Sequence, residues 1–242
     1  MVNSEDIIIL KMVEEVRLQC EFAMIAYTDI VQMLKGEYLL EAEKSFSEAL
    51  ERRNQITQDA NYLPEDLDQA LDAVKQALKN KTDIMDRANV RLFYSIHALV
   101  TATANISKLF WFKTAGKKED ETSKKLRVNL RNILSIDHDD SKSIFGNRNV
   151  RNALEHFDRE ILKKAKLPAI QIFDLSIGAA SMFANIDKEA YIRVFDTTSF
   201  TISAWGNDLN LLSLMQTITD VWERTKKAKE VIYQKIFPTP RG

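Results

Sequence analysis

Apolar residues recur at helical spacing from the start of this chain: Ile9, Met12, Val13, Val16, Cys20, Ala23, Ile30 and Val31. Steps of three and four put such residues on one face of a helix with about 3.6 residues per turn, and that face must find a core. Breakers are scarce: 6 Gly and 4 Pro stand in 242 residues, 45% of them hydrophobic, so the helices are expected to be long. Ser4 can cap the first of them, and Glu5 and Asp6 suit the positive end of its dipole. Gly36 predicts an interruption, with the helix resuming from about Tyr38 towards Gln58. At Asn61-Tyr62-Leu63-Pro64-Glu65-Asp66 the chain stops and restarts, with Pro64 in the first turn of a helix lined by Leu67, Leu71, Val74 and Leu78. The next segment, Asp83 to about Lys113, is the most apolar. Val90, Phe93, Tyr94, Ile96, Leu99, Ile106 and Phe110 cover most of a helix surface there, which predicts the central helix of the core.

A charged loop is expected from Lys113 to Glu121, then a helix near Ser123–Leu134 and a polar break at Asp137-His138-Asp139-Asp140-Ser141. Another helix is expected from about Asn147 to Lys166, ending before Pro168. The pattern then changes to alternation in Tyr191–Phe195 and Phe200–Trp205, which predicts a β-hairpin turning through Asp196-Thr197-Thr198-Ser199. Ile186 and its upstream neighbours could add a third strand, Gly206-Asn207-Asp208 is expected to end the sheet, and Leu209 to Ile236 reads as a closing helix. Prolines at 238 and 240 make the tail a frayed end. The expected fold is mainly α: a helical bundle with a small C-terminal β-hairpin and closing helix. It forms a single domain over residues 1–242, with residues 181–242 as an appendage.

No apolar run approaches the roughly 20 residues of a membrane span, and the first residues lack the basic region of a secretory signal. Cys20 stands alone, so no disulfide framework or cysteine-rich zinc site is expected. A cytoplasmic protein without a membrane, metal or cofactor requirement is the expectation. With 34 basic and 35 acidic residues the net charge is −1, so any nucleic-acid contact must rest on local charge. Lys124, Lys125, Arg127, Arg131, Arg148 and Arg159 could converge to supply it.

Three histidines are candidates for chemistry. His97 lies between Ile96 and Ala98 in the most apolar helix and is expected to be packed in the core. His138, in Asp137-His138-Asp139-Asp140, reads as part of a solvated loop that caps the next helix; adjacent residues rarely all face one metal ion. His156 differs. In the helix from Asn147, an apolar stripe of Val150, Ala153, Leu154, Phe157 and Ile161 faces inward, and His156 lies about 120° from its centre, outside the core. Asn152, four residues earlier, can share the outer face with Arg148, Arg159 and His156. An ordinary charged surface helix would show the same periodicity.

Arg151-Asn152-Ala153-Leu154-Glu155-His156 resembles the R-x4-6-H motif of HEPN-domain proteins, including the polar residue these favour directly after the arginine. The resemblance covers residues 83–166, a HEPN-like core in which the long helix with Asn105-Ile106-Ser107 would pack beneath the motif. It implies a dimer whose two motifs meet in one cleft, binding RNA or cutting it without a metal ion. A 2′-hydroxyl would attack the adjacent phosphate, with His156 as acid/base, Arg151 holding the phosphate and Asn152 orienting the histidine or touching RNA. Arg148 and Arg159 would contact the RNA. Glu155 and Asp158 bring negative charge beside His156, which is expected to oppose phosphate.

Arg131-Asn132 followed by His138 also fits the pattern, but it runs into a loop where Asp137, Asp139 and Asp140 would repel RNA. Two other readings remain open. In one, the bundle and hairpin bind another protein and the polar stripe is structural. In the other, a metal-dependent hydrolase is centred on His138, with carboxylates from another helix.

Overall fold

The structure is a computed structural model that describes residues 4–58, 63–111, 118–146, 148–156, 159, 161–162, 173–183, 186–187 and 190–238. The chain divides into two compact units, Met1–Tyr27 with Ile96–Gly242, and Thr28–Ser95, and each is described by itself.

Helix α1 (Ser4–Lys35) contributes its residues up to Tyr27 to the first unit, and there its periodicity is realised: Val13, Val16, Cys20 and Ala23 are wholly buried. Helix α6 (Leu211–Ile236) runs antiparallel to it. Trp222 Nε1 donates to Glu21 Oε1 at 3.3 Å, Lys229 pairs with Glu14 at 3.1 Å, and Lys235 pairs with Asp6 at 2.7 Å, so one helix descends as the other climbs. Asn210 caps α6 by accepting from the backbone N–H of Ser213 at 2.8 Å. Leu211, Leu214, Ile218, Val221, Thr225, Ala228, Ile232 and Ile236 form its buried stripe, and through it the C-terminal segment supplies core to this unit.

The end of α3 (Pro64–Phe110) adds to this core, with Ile96, Leu99, Ile106 and Phe110 buried. Inside this apolar contact the amide of Asn105 donates to Gln19 Oε1 at 3.3 Å. His97 is exposed, which corrects the expectation of a core histidine: the buried face runs through Ile96, Leu99 and Val100, and one residue's rotation of about 100° carries His97 outward. Val90 and Tyr94 share that outer face, Tyr94 with 73% exposure. Two helices were expected between Pro64 and Lys113, whereas α3 is continuous over 47 residues. The polar run Asn80–Asp83 contains neither Gly nor Pro, and polarity alone does not end a helix.

Helix α4 (Glu121–Ile133) begins at Asp120, whose carboxylate accepts from Ser123 N at 2.8 Å and from its hydroxyl at 2.7 Å. It ends in a left-handed Ser135 (φ 51) with Ile136 N donating to Arg131 O at 2.8 Å and Ser135 N to Asn132 O at 3.2 Å, a Schellman closure. Two 3-10 turns, Asp140–Lys142 and Ile144–Gly146, lead to the short helix α5 (Asn149–Glu155). The expected continuation of that helix to Lys166, with Phe157, Asp158 and the stop at Pro168, falls largely outside the described residues.

The sheet has four strands in the order β1 (Ser176–Gly178), β2 (Val194–Asp196), β3 (Thr201–Ala204) and β4 (Asn207–Asn210). β1 and β2 are parallel and the other pairs antiparallel, with Phe195 opposite Ile202 and Ile202 opposite Leu209. The expected hairpin is its centre. The third strand lies at Ser176–Gly178 rather than near Ile186, which instead packs against Phe183, Tyr191 and Val194. Gly206 does not end the sheet: Trp205 (φ 51) and Gly206 (φ 77) form a tight turn with both φ positive, and the chain returns as β4. Buried Val150 and Ala153 of α5 lie on the side of that helix packed against β3 and β4.

In the second unit, α1 ends at Lys35, Gly36 (φ 68) takes the left-handed conformation glycine tolerates, and a 3-10 turn (Glu37–Leu39) leads into α2 (Leu40–Gln58). Helix α3 starts with Pro64 in its first turn, as expected. Lys81 of α3 reaches Glu43 at 3.7 Å and lies 5.5 Å from the ring centroid of Phe46, both on α2.

Candidate functional site

Helix α5 is two turns long, and its sequence divides cleanly. Val150 and Ala153 are buried, whereas Asn149, Asn152, Glu155 and His156 are exposed. His156 is the C-cap, its backbone N–H donating to Asn152 O at 3.0 Å, so Asn152 and His156 stand on successive turns of the outer face. Arg151 is less accessible, at 17% side-chain exposure. Its guanidinium is held by Glu155 in a two-pronged ion pair, Nε to Oε1 at 2.8 Å and Nη2 to Oε2 at 2.6 Å. Among the described residues no hydrogen bond joins Arg151 to His156. The motif's cation is therefore neutralised within its own helix.

Arg148, directly before α5, turns inward. Its Nε donates to Ser107 Oγ at 2.9 Å, and its Nη2 reaches the carbonyls of Ser107 at 3.4 Å and Trp111 at 3.5 Å. Arg127 Nη1 donates to the carbonyl of Lys108, and Arg131 Nη1 to that of Phe110. Three guanidinium groups thus converge on the C-terminal turn of α3, the negative end of its dipole. Burial lowers the pKa of Arg148 and of Arg131 from the usual arginine value. The other members of the expected basic patch also have partners: Lys124 with Glu121 at 3.7 Å, Lys125 with Glu5 at 2.9 Å, and Arg127 with Glu119 at 2.6 Å. Arg159 is exposed.

The second Arg-Asn…His spacing is the one whose side chains meet. Arg131 Nε donates to His138 Nδ1 at 3.4 Å, and His138 Nε2 lies 2.9 Å from Asn132 Oδ1. Arginine can only donate, so Nδ1 accepts and the imidazole proton sits on Nε2, from which it bonds to Asn132. The Schellman closure of α4 returns the chain here, and Trp111 Nε1 secures the loop by donating to His138 O at 3.3 Å. The acidic neighbours serve the backbone: Asp137 accepts from Asp139 N at 2.9 Å, and Asp139 from Ser141 N at 3.0 Å. The acidic linear neighbours of this spacing rank it second in the sequence, and the fold-back that assembles it has no periodicity signal.

Among the described residues no group of three or more His, Cys, Asp or Glu side chains is arranged to hold a metal ion. Cys20 is fully buried and its thiol is pushed up to about 12 by burial, which removes it as a nucleophile. No helix among the described residues is long and apolar enough to cross a membrane. Comparison of the chain with protein-family models, with curated proteins and with solved structures finds no match, so the HEPN resemblance stands on Arg151-Asn152-x-x-x-His156 and its helical setting alone.

Proposed function

We propose that the chain is a HEPN-like RNA-binding protein or metal-independent endoribonuclease that works as a homodimer in the cytoplasm. The observation that carries this reading is the outer face of α5, where Asn152 and His156 stand exposed on successive turns beside Arg151. In this reading His156 of one copy takes the proton from a ribose 2′-hydroxyl, the 2′-oxygen attacks phosphorus, and the P–O5′ bond breaks as the protonated His156 of the other copy gives its proton to the 5′-oxygen. Arg151 of either copy stabilises the phosphorane once RNA phosphate displaces Glu155 from its guanidinium. A second reading, a protein-interaction module with a degenerate motif, is favoured by one specific observation: Arg151 is already paired, and Arg127, Arg131 and Arg148 are bound to the end of α3.

The test is cleavage of a mixed RNA pool in EDTA by the wild type, His156→Ala, Arg151→Ala and His138→Ala. The first reading expects cyclic-phosphate ends from the wild type, a loss on the order of a hundredfold or more in His156→Ala, and near-wild-type activity in His138→Ala. Loss in His138→Ala with His156→Ala unaffected would move the chemistry to Arg131, Asn132 and His138. Absence of both cleavage and RNA retention in every protein would sink the RNA reading and leave the interaction module.

A further inference from the structure

A cavity of about 620 Å³ opens between the first turns of α1, the end of α4 and the second half of α6, away from α5. Its volume lies within the range of about 300–1,000 Å³ common for small-molecule sites. Ile9, Ile133, Ala228, Val231 and Ile232 give it aliphatic walls, and among the described residues no aromatic side chain lines it. That composition offers a hydrocarbon chain a surface and offers a nucleobase no ring to stack on. Ile133 and Val231 stand at the mouth with 41% and 67% of their surface exposed, apolar area that an occupant would cover.

The charges are uneven. Glu5 is paired with Lys125 at 2.9 Å and accepts from Asn129 at 3.0 Å, and Asp6 is paired with Lys235 at 2.7 Å, so both acids are neutralised. Arg224 is fixed through Nη1, which donates to Leu134 O at 3.2 Å and Ser135 O at 2.8 Å, the carbonyls that end α4. Its Nε and Nη2 make no hydrogen bond among the described residues, and neither does the ammonium of Lys227. Arg224 and Lys227 therefore line the cavity with no carboxylate paired to either among the described residues, while Glu5 and Asp6 of the same lining have lysine partners. A guanidinium with Nε and Nη2 unused can hold a carboxylate in two-pronged geometry.

We propose that this cavity binds an aliphatic carboxylate, its head group on Arg224 and Lys227 and its chain along Ile9, Ile133, Val231 and Ile232. The site is independent of α5 and of any RNA activity. Decanoate titrated calorimetrically into the full chain, below its micelle-forming concentration, is the test, with decylamine and octyl glucoside as cationic and neutral counterparts. Saturable binding of decanoate but neither counterpart is expected. Lys227→Ala should weaken it roughly tenfold, the loss of one charge-assisted contact, while Lys79→Ala in the other unit leaves it unchanged. Val231→Glu puts a carboxylate at the mouth without touching the core and should abolish binding with the thermal midpoint unchanged. No saturable heat with decanoate, equal binding of decylamine, or wild-type affinity in both cavity variants would overturn the proposal.

Discussion

Arg148 shows how much one side chain can hold. It links the loop before α5 to the last turn of α3 through Ser107 and Trp111. Removing it leaves the Ser107 hydroxyl and two carbonyls to seek water in a half-buried place. Arg148→Ala is therefore expected to destabilise the protein by about 1–3 kcal/mol, the cost of leaving a buried acceptor without its partner. Arg148→Lys should recover part of the loss, because an ammonium keeps the charge but not the fork. Chemical denaturation measures both. A change within about 0.5 kcal/mol in Arg148→Ala would mean that the residue acts at the surface, as its place in the Arg151-Asn152 segment suggests. The exposure of Asn152, His156 and Arg159 followed from periodicity, because a helix that buries Val150 and Ala153 turns the opposite face outward, whereas Arg148, expected on that face, turns inward. The roles of Arg127, Arg131 and Arg148 were not legible, because their partners are backbone carbonyls of a helix distant in sequence.

Helix ends with a local cause were legible: Gly36 needs a positive φ, and Pro64 fits only a first turn. The continuity of α3 and the existence of β4 were not. A polar run leaves a helix no reason to stop, and Asn207-Asp208-Leu209-Asn210 is poor in strand formers, held in the sheet by the Trp205-Gly206 turn and by pairing with β3. The pairing of α1 with α6 was equally invisible, and it carries a pH dependence. Hydrogen bonds from Lys11 and then Lys229 hold the Glu14 carboxyl below the usual glutamate range. A carboxyl lowered in the folded state stabilises above its unfolded pKa, and that stability is lost as pH falls through the folded value. Glu14→Gln should thus cost a small amount at neutral pH, under about 1 kcal/mol because solvent still reaches and screens this half-buried pair. Thermal melts across an acid series should show the two proteins converging below the normal glutamate range. A gap that widens in acid would show that the Lys229 bridge does not join these helices.

The two units differ in what holds them. In Thr28–Ser95 the described buried apolar residues are Ile30, Ala42, Ala70, Ala88, Leu92 and Phe93, half of them alanines with little surface to remove from water. The other unit buries Phe110, Phe145, Phe195, Leu130, Ile202 and Ile218 among many more. At roughly 25 cal/mol per Å² of buried apolar area, the first set can oppose local opening only weakly. Helix α3 runs through both, which allows one hydrogen-bonded element to report on two environments. If helix propensity governed its stability, amide protection would decline only at its ends. If packing governs it, protection should be low from Pro64 to about Arg91 and rise sharply from Ile96 to Phe110, where Ile96, Leu99, Ile106 and Phe110 are buried. Hydrogen exchange read by mass spectrometry resolves that step. Matching protection in α1 from Val13 to Ala23 and in α6 would identify the strongly held unit, whereas even protection along all of α3 would show that Thr28–Ser95 is as firmly held as the rest.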